Sequence, residues 1–366
     1  MQRPLQVDDA SRRDRGVDRT KAPVRRRSTW RRMLFRDELG VVVVLGVLVL
    51  VIGGLHPRFL TAGNLLSTAQ NSAYVGLMAC GMVFALAMRE VDLSVGGNFA
   101  LGIVAGAVLI KNGMDPWLAV LVVLALCAIL GALNGLVTTV IRAPSFIVTL
   151  ASGLLFRGAA LGLAHGKQIA GLPAGDSFFT VIGGDLGGVP TSVWILLFAA
   201  VVLTVVCTLT RFGAQVRGVG SNPDAAVFSG LPVGRIRVQA LGMSGLMSGV
   251  AAIAGLAFFI TGDPTVGQGY ELDAIAACII GGTPLMGGKG SVPGAVMGSL
   301  ILSVVASGLV FFRVPINWTT LATGAVILLA VALDAQLRRT RGRGFLPRRL
   351  SLGGRPASPP SPPAGS

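Results

Sequence analysis

Long apolar runs recur along the whole chain, and short segments rich in charge, proline or glycine separate them. A transmembrane helix needs about 20 predominantly apolar residues to cross a hydrocarbon layer about 30 Å thick. The runs therefore predict ten membrane-spanning helices, at about 39–55, 70–88, 97–112, 117–140, 145–164, 190–210, 238–260, 271–287, 292–312 and 316–336. An even number of spans places both chain ends on the same side of a membrane.

The composition agrees with this pattern. Hydrophobic residues make up 52% of the 366 residues and charged residues only 13%, whereas soluble domains carry about 25% charged residues. We therefore expect an all-α, multi-pass membrane protein, and a soluble globular domain is excluded.

The net charge of +15 lies at the two ends of the chain. Residues 1–36 hold twelve Arg or Lys against four Asp, and residues 338–366 hold seven Arg and no acid, so the tails carry +8 and +7. Basic residues flank spans on the cytoplasmic side, which predicts cytoplasmic termini. The chain divides into a disordered basic tail 1–36, a transmembrane domain 37–337 and a basic, Pro-rich tail 338–366. The charge predicts contact with anionic membrane lipid; nucleic acid is the disfavoured alternative.

Two separated motifs recur at an offset of 171 residues. The stretch DLSVGGNFAL (92–101) matches DPTVGQGYEL (263–272), and IRAPSFIVTLASG (141–153) matches FRVPINWTTLATG (312–324). This predicts an internal duplication with halves at about 72–165 and 243–336. Five spans separate equivalent positions, so the halves run in opposite directions, as in transporters built from inverted repeats.

The charged stretch REVDLSVGGN (89–98) interrupts two apolar runs, and its repeat mate is the second such elbow. The candidate site residues are those at which the two elbows agree, namely Asp92, Ser94, Gly96, Asp263, Thr265 and Gly267. Asp, Ser and Thr cap helix amides, and glycine permits tight turns. The elbows are therefore either capped and tightly packed or moving parts of a substrate path. An acid–base pair is disfavoured, because the predicted topology puts Asp92 and Asp263 on opposite faces.

No nucleotide, metal or cofactor site follows from the remaining motifs. The run GGTPLMGGKGS (281–291) lacks the first glycine and the final Ser or Thr of a phosphate-binding loop, so small-residue packing is its expected role. The four cysteines show no CxxC pair and the two histidines stand alone, which predicts packed thiols, no metal site and no cofactor.

The long loop 211–240 contains a predicted short helix at about 223–229. Ser221 or Asn222 suits the N-cap, Pro223 the first turn, and Gly230 the end. The helix either skims the membrane or docks onto a partner subunit, and docking is preferred. The residues predicted to make that contact are Asn222, Pro223, Asp224, Ala225, Ala226, Phe228, Ser229 and Gly230.

Three motifs together resemble a known family. VDLSVGG (91–97), GSNPDAAVFSGLPVGRIR (220–237) and GYELDAIAACIIGGTPLMGGKGSVPGAVMGS (269–299) are similar to the permease subunits of bacterial ABC importers for simple sugars, above all the ribose/xylose/galactose group. The resemblance spans about 39–337. Departures from the family pattern are Glu90, Pro284 and the long basic N-terminal tail.

The resemblance implies a non-enzymatic permease of the bacterial inner membrane that forms half of a monosaccharide path. It implies cytoplasmic ATP-binding cassette subunits, a second permease copy or paralogue and an extracytoplasmic sugar-binding protein as partners, with the helix near Asp224 to Gly230 as the coupling helix. The alternative is an ion-driven secondary transporter. That alternative needs ionisable groups within the spans, where the sequence places only Arg157 and no acid. A membrane-embedded enzyme is a further alternative, for which no convergent His, Asp or Cys set is visible.

Overall fold

The computed structural model describes residues 29–315 and residues 318, 321, 324, 325 and 328, with side chains from residue 40. The described residues form the helices α1 (Thr29–Leu55), α2 (Ala62–Ala87), α3 (Val95–Lys111), α4 (Pro116–Ile141), α5 (Ser145–Leu163), α6 (Ser177–Ile182), α7 (Thr191–Leu209), α8 (Arg211–Ser221), α9 (Pro223–Phe228), α10 (Val233–Phe259), α11 (Tyr270–Ile280) and α12 (Val292–Phe311). A 3-10 turn, Pro57–Leu60, joins α1 to α2. Two short antiparallel strands, β1 (Asp185–Leu186) and β2 (Val189–Pro190), pair Asp185 with Pro190.

Helix length separates the predicted spans into two groups. In the described part of the chain, six helices are long and apolar enough to cross a membrane, namely α2, α4, α5, α7, α10 and α12. The apolar part of α1, Gly40–Leu55, and α3 are shorter. Residues 1–28 of the predicted N-terminal tail lie outside the described residues. The predicted C-terminal tail 338–366 and most of the predicted span 316–336 also lie outside them.

The predicted span 271–287 is wrong in its extent. The helix α11 ends at Ile280, and at about 1.5 Å per residue its eleven residues cover only about 17 Å. Gly282, Gly287 and Gly288 follow it with φ of +88°, +70° and +81°, a left-handed backbone that a continuing helix cannot contain.

Two helices form the centre of the bundle and others surround them. Almost every residue of α2 from Ser72 to Ala87 is buried, and α10 is similarly enclosed. The outer helices α5 and α7 instead expose apolar side chains such as Leu154 and Phe198. An exposed apolar belt around a buried centre is the arrangement expected of helices surrounded by lipid.

Small residues let the central helices approach closely. At the crossing of α4 and α10, a Cβ on Gly131 would lie 2.9 Å from the Cα of Gly245 and would also meet the Leu241 carbonyl. At the crossing of α3 and α5, a Cβ on Gly97 would lie 3.1 Å from the Cα of Gly153. Close backbone approach through glycine is typical of helix packing in membranes.

The backbone repeats at the offset found in the sequence. α10 begins 171 residues after α2 and ends one residue beyond the equivalent position, and α4 and α12 end within one residue of equivalence. Four of the five described non-glycine residues with positive φ also form two pairs at this offset. They are Arg89 (+69°) with Ile260 (+54°), and Arg142 (+59°) with Arg313 (+54°).

Candidate functional site

The first elbow is a buried hydrogen-bonded turn. One carboxylate oxygen of Asp92 accepts hydrogen bonds from the Ser94 N–H at 3.0 Å and the Ser94 hydroxyl at 2.5 Å. The Asn134 side-chain amide on α4 donates to the same hydroxyl at 2.9 Å. Asp92 is 0% exposed, so in this structure it joins two helices and faces no open cavity.

The same elbow is anchored to the start of α5. The Val91 N–H donates to the Ser145 hydroxyl and the Leu93 N–H donates to the Thr149 hydroxyl, each at 3.0 Å. Backbone groups that have no helical partner are thereby satisfied by side chains, as buried amides require. The extended stretch before α3 is therefore fixed to α5 by these two hydrogen bonds.

The second elbow repeats the turn in a more exposed setting. Asp263 accepts from the Thr265 N–H at 2.8 Å and the Thr265 hydroxyl at 2.7 Å, and its other oxygen accepts from the Gln168 amide at 2.6 Å. Burial opposes ionisation of Asp263, but these hydrogen bonds outweigh it and hold the pKa of the carboxyl below its usual range. Equivalent residues therefore make equivalent local bonds in the two elbows.

Arg157 explains how the second elbow is held. Its guanidinium on α5 donates to the backbone carbonyls of Gly267 at 3.1 Å and Pro264 at 3.4 Å. A cation inside an apolar helix is costly unless it finds such partners. The sequence places Arg157 within a predicted span, and in this structure its guanidinium faces protein.

The glycine ends of the two elbows approach each other, whereas the two aspartates hold separate networks. A Cβ on Gly96 would lie 3.0 Å from the Gly267 carbonyl oxygen and would meet the Glu271 carboxylate. Glu271 and Asp273 lie in the first turn of α11. The expectation that no acid lies within a predicted span is therefore wrong for this helix.

The short helix α9 confirms the prediction for the long loop. Asn222 is its N-cap, because the Asn222 side-chain oxygen accepts from the Ala225 N–H at 3.0 Å. Gly230, at φ +75°, follows its end. Ala226 is buried, whereas Phe228 is 91% exposed. One side of α9 packs on the protein and the other presents an aromatic ring.

The sequence prediction missed how α9 is joined to the bundle. α8 precedes α9, and Arg89 reaches its last turn, donating to the carbonyls of Gly220 at 2.6 Å and Ser221 at 3.1 Å. The Gly288 N–H donates to the Ala87 carbonyl at 2.8 Å, so the glycine-rich run 281–291 packs on the end of α2. We call Ala87, Arg89, Gly220, Ser221 and Gly288 the α2–α8 junction.

Glu90, the middle one of the three crowded charges, forms an ion pair with α10. The Arg237 guanidinium donates to the Glu90 carboxylate at 2.6 Å. Arg89, Glu90 and Asp92 thus bind three different parts of the protein, namely the α8 end, α10 and the α3 turn. The clustering of charge in the sequence was the signal, but the partners of Arg89 and Glu90 are distant in the chain.

Comparison with known proteins decides the family. Residues 64–331 match the family model described as the branched-chain amino acid transport system / permease component. The chain belongs to this permease family. It is 37% identical to the ribose import permease protein of Bacillus subtilis (strain 168) over 298 residues, which are 81% of this chain and 92% of that protein.

Other members of this permease family give the same result. The xylose transport system permease protein of Escherichia coli (strain K12) is 32% identical, with 77% of this chain and 87% of that protein covered. The D-allose transport system permease protein of the same strain is 32% identical, with 82% and 92% covered. The resemblance found in the sequence motifs is confirmed.

Proposed function

We propose that this chain is the permease subunit of an ATP-driven importer and forms half of the path for a monosaccharide. The observation that carries the proposal is the similarity over 77–82% of the chain to permeases named for ribose, xylose and D-allose. The family description names branched-chain amino acids, but these three relatives are named for sugars. A pentose or hexose is therefore the proposed cargo.

The exposed side of α9 supports a coupling role in this importer. An aromatic side chain that is 91% exposed on a capped helix is the kind of anchor that protein interfaces bury. α9 continues from α8, and Arg89 ties the end of α8 to the first elbow. A push on α9 by an ATPase subunit would therefore reach α2 and α3 through the α2–α8 junction.

The repeated backbone supports alternating access. Equivalent helix ends, equivalent positive-φ residues and equivalent Asp turns are expected of two copies of one unit. With ten spans and cytoplasmic termini, the copies are inverted, and rocking one against the other would open the path to either side. In this proposal the chain lies in the bacterial inner membrane, with the sugar-binding protein outside and the ATPase subunits inside.

The test compares two exposed phenylalanines. Phe228→Ala on α9 removes the proposed anchor, and Phe198→Ala on α7 removes a side chain that is 73% exposed on the apolar belt. Loss of an interface anchor costs about 2 kcal/mol or more, or about thirtyfold in affinity. The tagged full-length chain is purified in mild detergent, and the ATP-hydrolysing subunit that accompanies it is quantified.

The proposal expects a stoichiometric ATPase with the unmodified chain and with Phe198→Ala, and its loss with Phe228→Ala. If the unmodified chain purifies without an ATPase, yet moves sugar under an ion gradient, the importer proposal is wrong and the chain is a secondary transporter.

A further inference from the structure

A cavity of about 630 Å³ lies between α2, α11 and α12, and we call it the α2–α12 cavity. Small-molecule sites in proteins typically measure about 300–1,000 Å³. None of the elbow or α9 residues singled out from the sequence lines it. Tyr270 and Asp273, which do line it, lie at the end of the second elbow and in the first turn of α11, so the cavity adjoins that elbow.

Eight of the described residues that line the cavity carry polar side chains, and the other five are apolar. The polar ones are Asn64, Ser67, Thr68, Asn71, Tyr270, Asp273, Ser303 and Ser307. The four from α2 lie three or four residues apart, and so do the two serines of α12, so each of these helices presents one polar face to the cavity. Polar side chains within membrane-spanning helices mark substrate pathways more often than lipid contacts.

Most of these side chains have unused hydrogen-bonding capacity. The Ser307 hydroxyl donates to the Asn64 side-chain oxygen at 3.1 Å, and the Asn64 amide donates to the Phe59 carbonyl at 2.8 Å. In the described part of the chain, the side chains of Ser67, Asn71 and Ser303 make no hydrogen bond to protein. Their donors and acceptors point to a space that a ligand can enter.

The fold itself does not require this polarity. Six of the polar lining residues can be compared with their repeat equivalents, which lie 171 residues away. The pairs are Asn64 with Arg235, Ser67 with Val238, Asn71 with Gly242, Asp273 with Gly102, Ser303 with Ala132 and Ser307 with Leu136. Five of these six equivalents cannot hydrogen-bond through a side chain, and neither can Phe99, the equivalent of Tyr270, whereas Gln239, the equivalent of Thr68, can. The equivalent helices α3, α4 and α10 thus form with few of these polar side chains.

We propose that the α2–α12 cavity is a monosaccharide subsite of the translocation path, an inference that rests on the proposed function. Sugar hydroxyls donate and accept hydrogen bonds, and asparagine amides, serine hydroxyls and one carboxylate together do both. Among the described residues, no Lys, Arg or His lines the cavity, so these residues offer no charged partner for the carboxylate of an amino acid. The chemistry selects a neutral polyol.

The position of the cavity suits a path that opens away from the ATPase. Asn71 lies sixteen residues before Ala87 on α2, or about 24 Å along the helix axis from the α2–α8 junction. Val75 and Leu302, which are 7% and 8% exposed, form the apolar inner end of the cavity. The end of the cavity that lies towards the junction is therefore buried, as an outward-facing subsite requires.

The test uses cysteine substitution in the complete importer, reconstituted with its ATPase subunits and binding protein. The four native cysteines are free and buried, so thiol reagents leave the unmodified chain unaltered. Ser303→Cys and Asn71→Cys place a thiol in the cavity, and Leu136→Cys places one at the repeat equivalent of Ser307. After folding, each is treated with a methylating or a bulky methanethiosulfonate, and uptake of radiolabelled D-ribose, D-xylose and D-allose is measured.

The expected result depends on reagent size, because a path is blocked by narrowing it. The bulky reagent lowers sugar uptake by about tenfold or more at both cavity cysteines, and the methylating reagent changes it by about twofold or less. The Leu136→Cys variant takes up sugar normally after treatment with either reagent. Full uptake by fully labelled Ser303→Cys and Asn71→Cys overturns the subsite while leaving the importer intact. An unmodified complex that moves none of the three sugars instead overturns the proposed function, and the subsite with it.

Discussion

At the residue scale, the crowding of Arg89, Glu90 and Asp92 has a structural explanation. Arg89 and Glu90 bind two distant elements, the end of α8 and α10, whereas Asp92 accepts hydrogen bonds from Ser94 at the start of α3. A buried or half-buried charge needs such a partner to offset its desolvation. Nothing in the local sequence names the partners of Arg89 and Glu90, because they lie about 130 to 150 positions further along the chain.

The Glu90–Arg237 pair yields a prediction at this scale. The two side chains are 12% and 24% exposed, so the ion pair is screened little by salt. Glu90→Gln and Arg237→Gln each lower the stability of the purified chain, and the double variant loses less than their sum, with a coupling of about 1 kcal/mol. Arg235→Gln, at an exposed neighbouring arginine, is the control and changes little. Thermal unfolding in detergent measures all four, and strict additivity would contradict the pairing.

At the element scale, helix crossings through glycine set the packing of the bundle. Gly131 has no room for a side chain against α10, whereas Gly158 on α5 has nothing within 4 Å of an added Cβ. Both lie within helices, so alanine favours the helix equally at both.

Gly131→Ala should therefore lower stability by about 1–3 kcal/mol through overpacking. Gly158→Ala should raise it by about 0.5–1 kcal/mol through helix propensity. The measurement is the unfolding midpoint of each detergent-purified variant against the unmodified chain. Equal shifts at the two glycines would mean that the α4–α10 crossing is looser than the structure has it.

The elements also show where sequence reasoning succeeds and where it stops. α9 was predictable because Asn222, Pro223 and Gly230 are local start and stop signals. The extent of α11 was not, because an apolar run such as 271–287 reads as helix by hydropathy although Gly282 and Gly287 turn the chain. α8 was missed because three of its eleven residues are glycine, which disfavours a helix, and α6 was missed although its N-cap Asp176 is a local start signal of the same kind as Asn222. The α2–α12 cavity was missed because its lining comes from three distant helices.

At the scale of the whole molecule, the proposed topology places α6 and α9 on opposite sides of the membrane. Thr180 on α6 and Phe228 on α9 are both exposed. In cells that express the chain without its ATPase subunits, an impermeant maleimide should label Thr180→Cys and spare Phe228→Cys, and after permeabilisation it should label both. The buried native cysteines make the unmodified chain a silent background. Labelling of Phe228→Cys in intact cells would contradict cytoplasmic termini.

The central claim is that ATP hydrolysis on a partner drives a sugar through this chain. The most direct measurement is uptake of radiolabelled D-ribose, D-xylose and D-allose by proteoliposomes that contain the chain with its ATPase subunits. ATP is enclosed inside, and the binding protein is added outside. We expect uptake of at least one of these sugars. That uptake requires both ATP and the binding protein, and a protonophore does not affect it. Uptake that proceeds without ATP and collapses with the protonophore would contradict it.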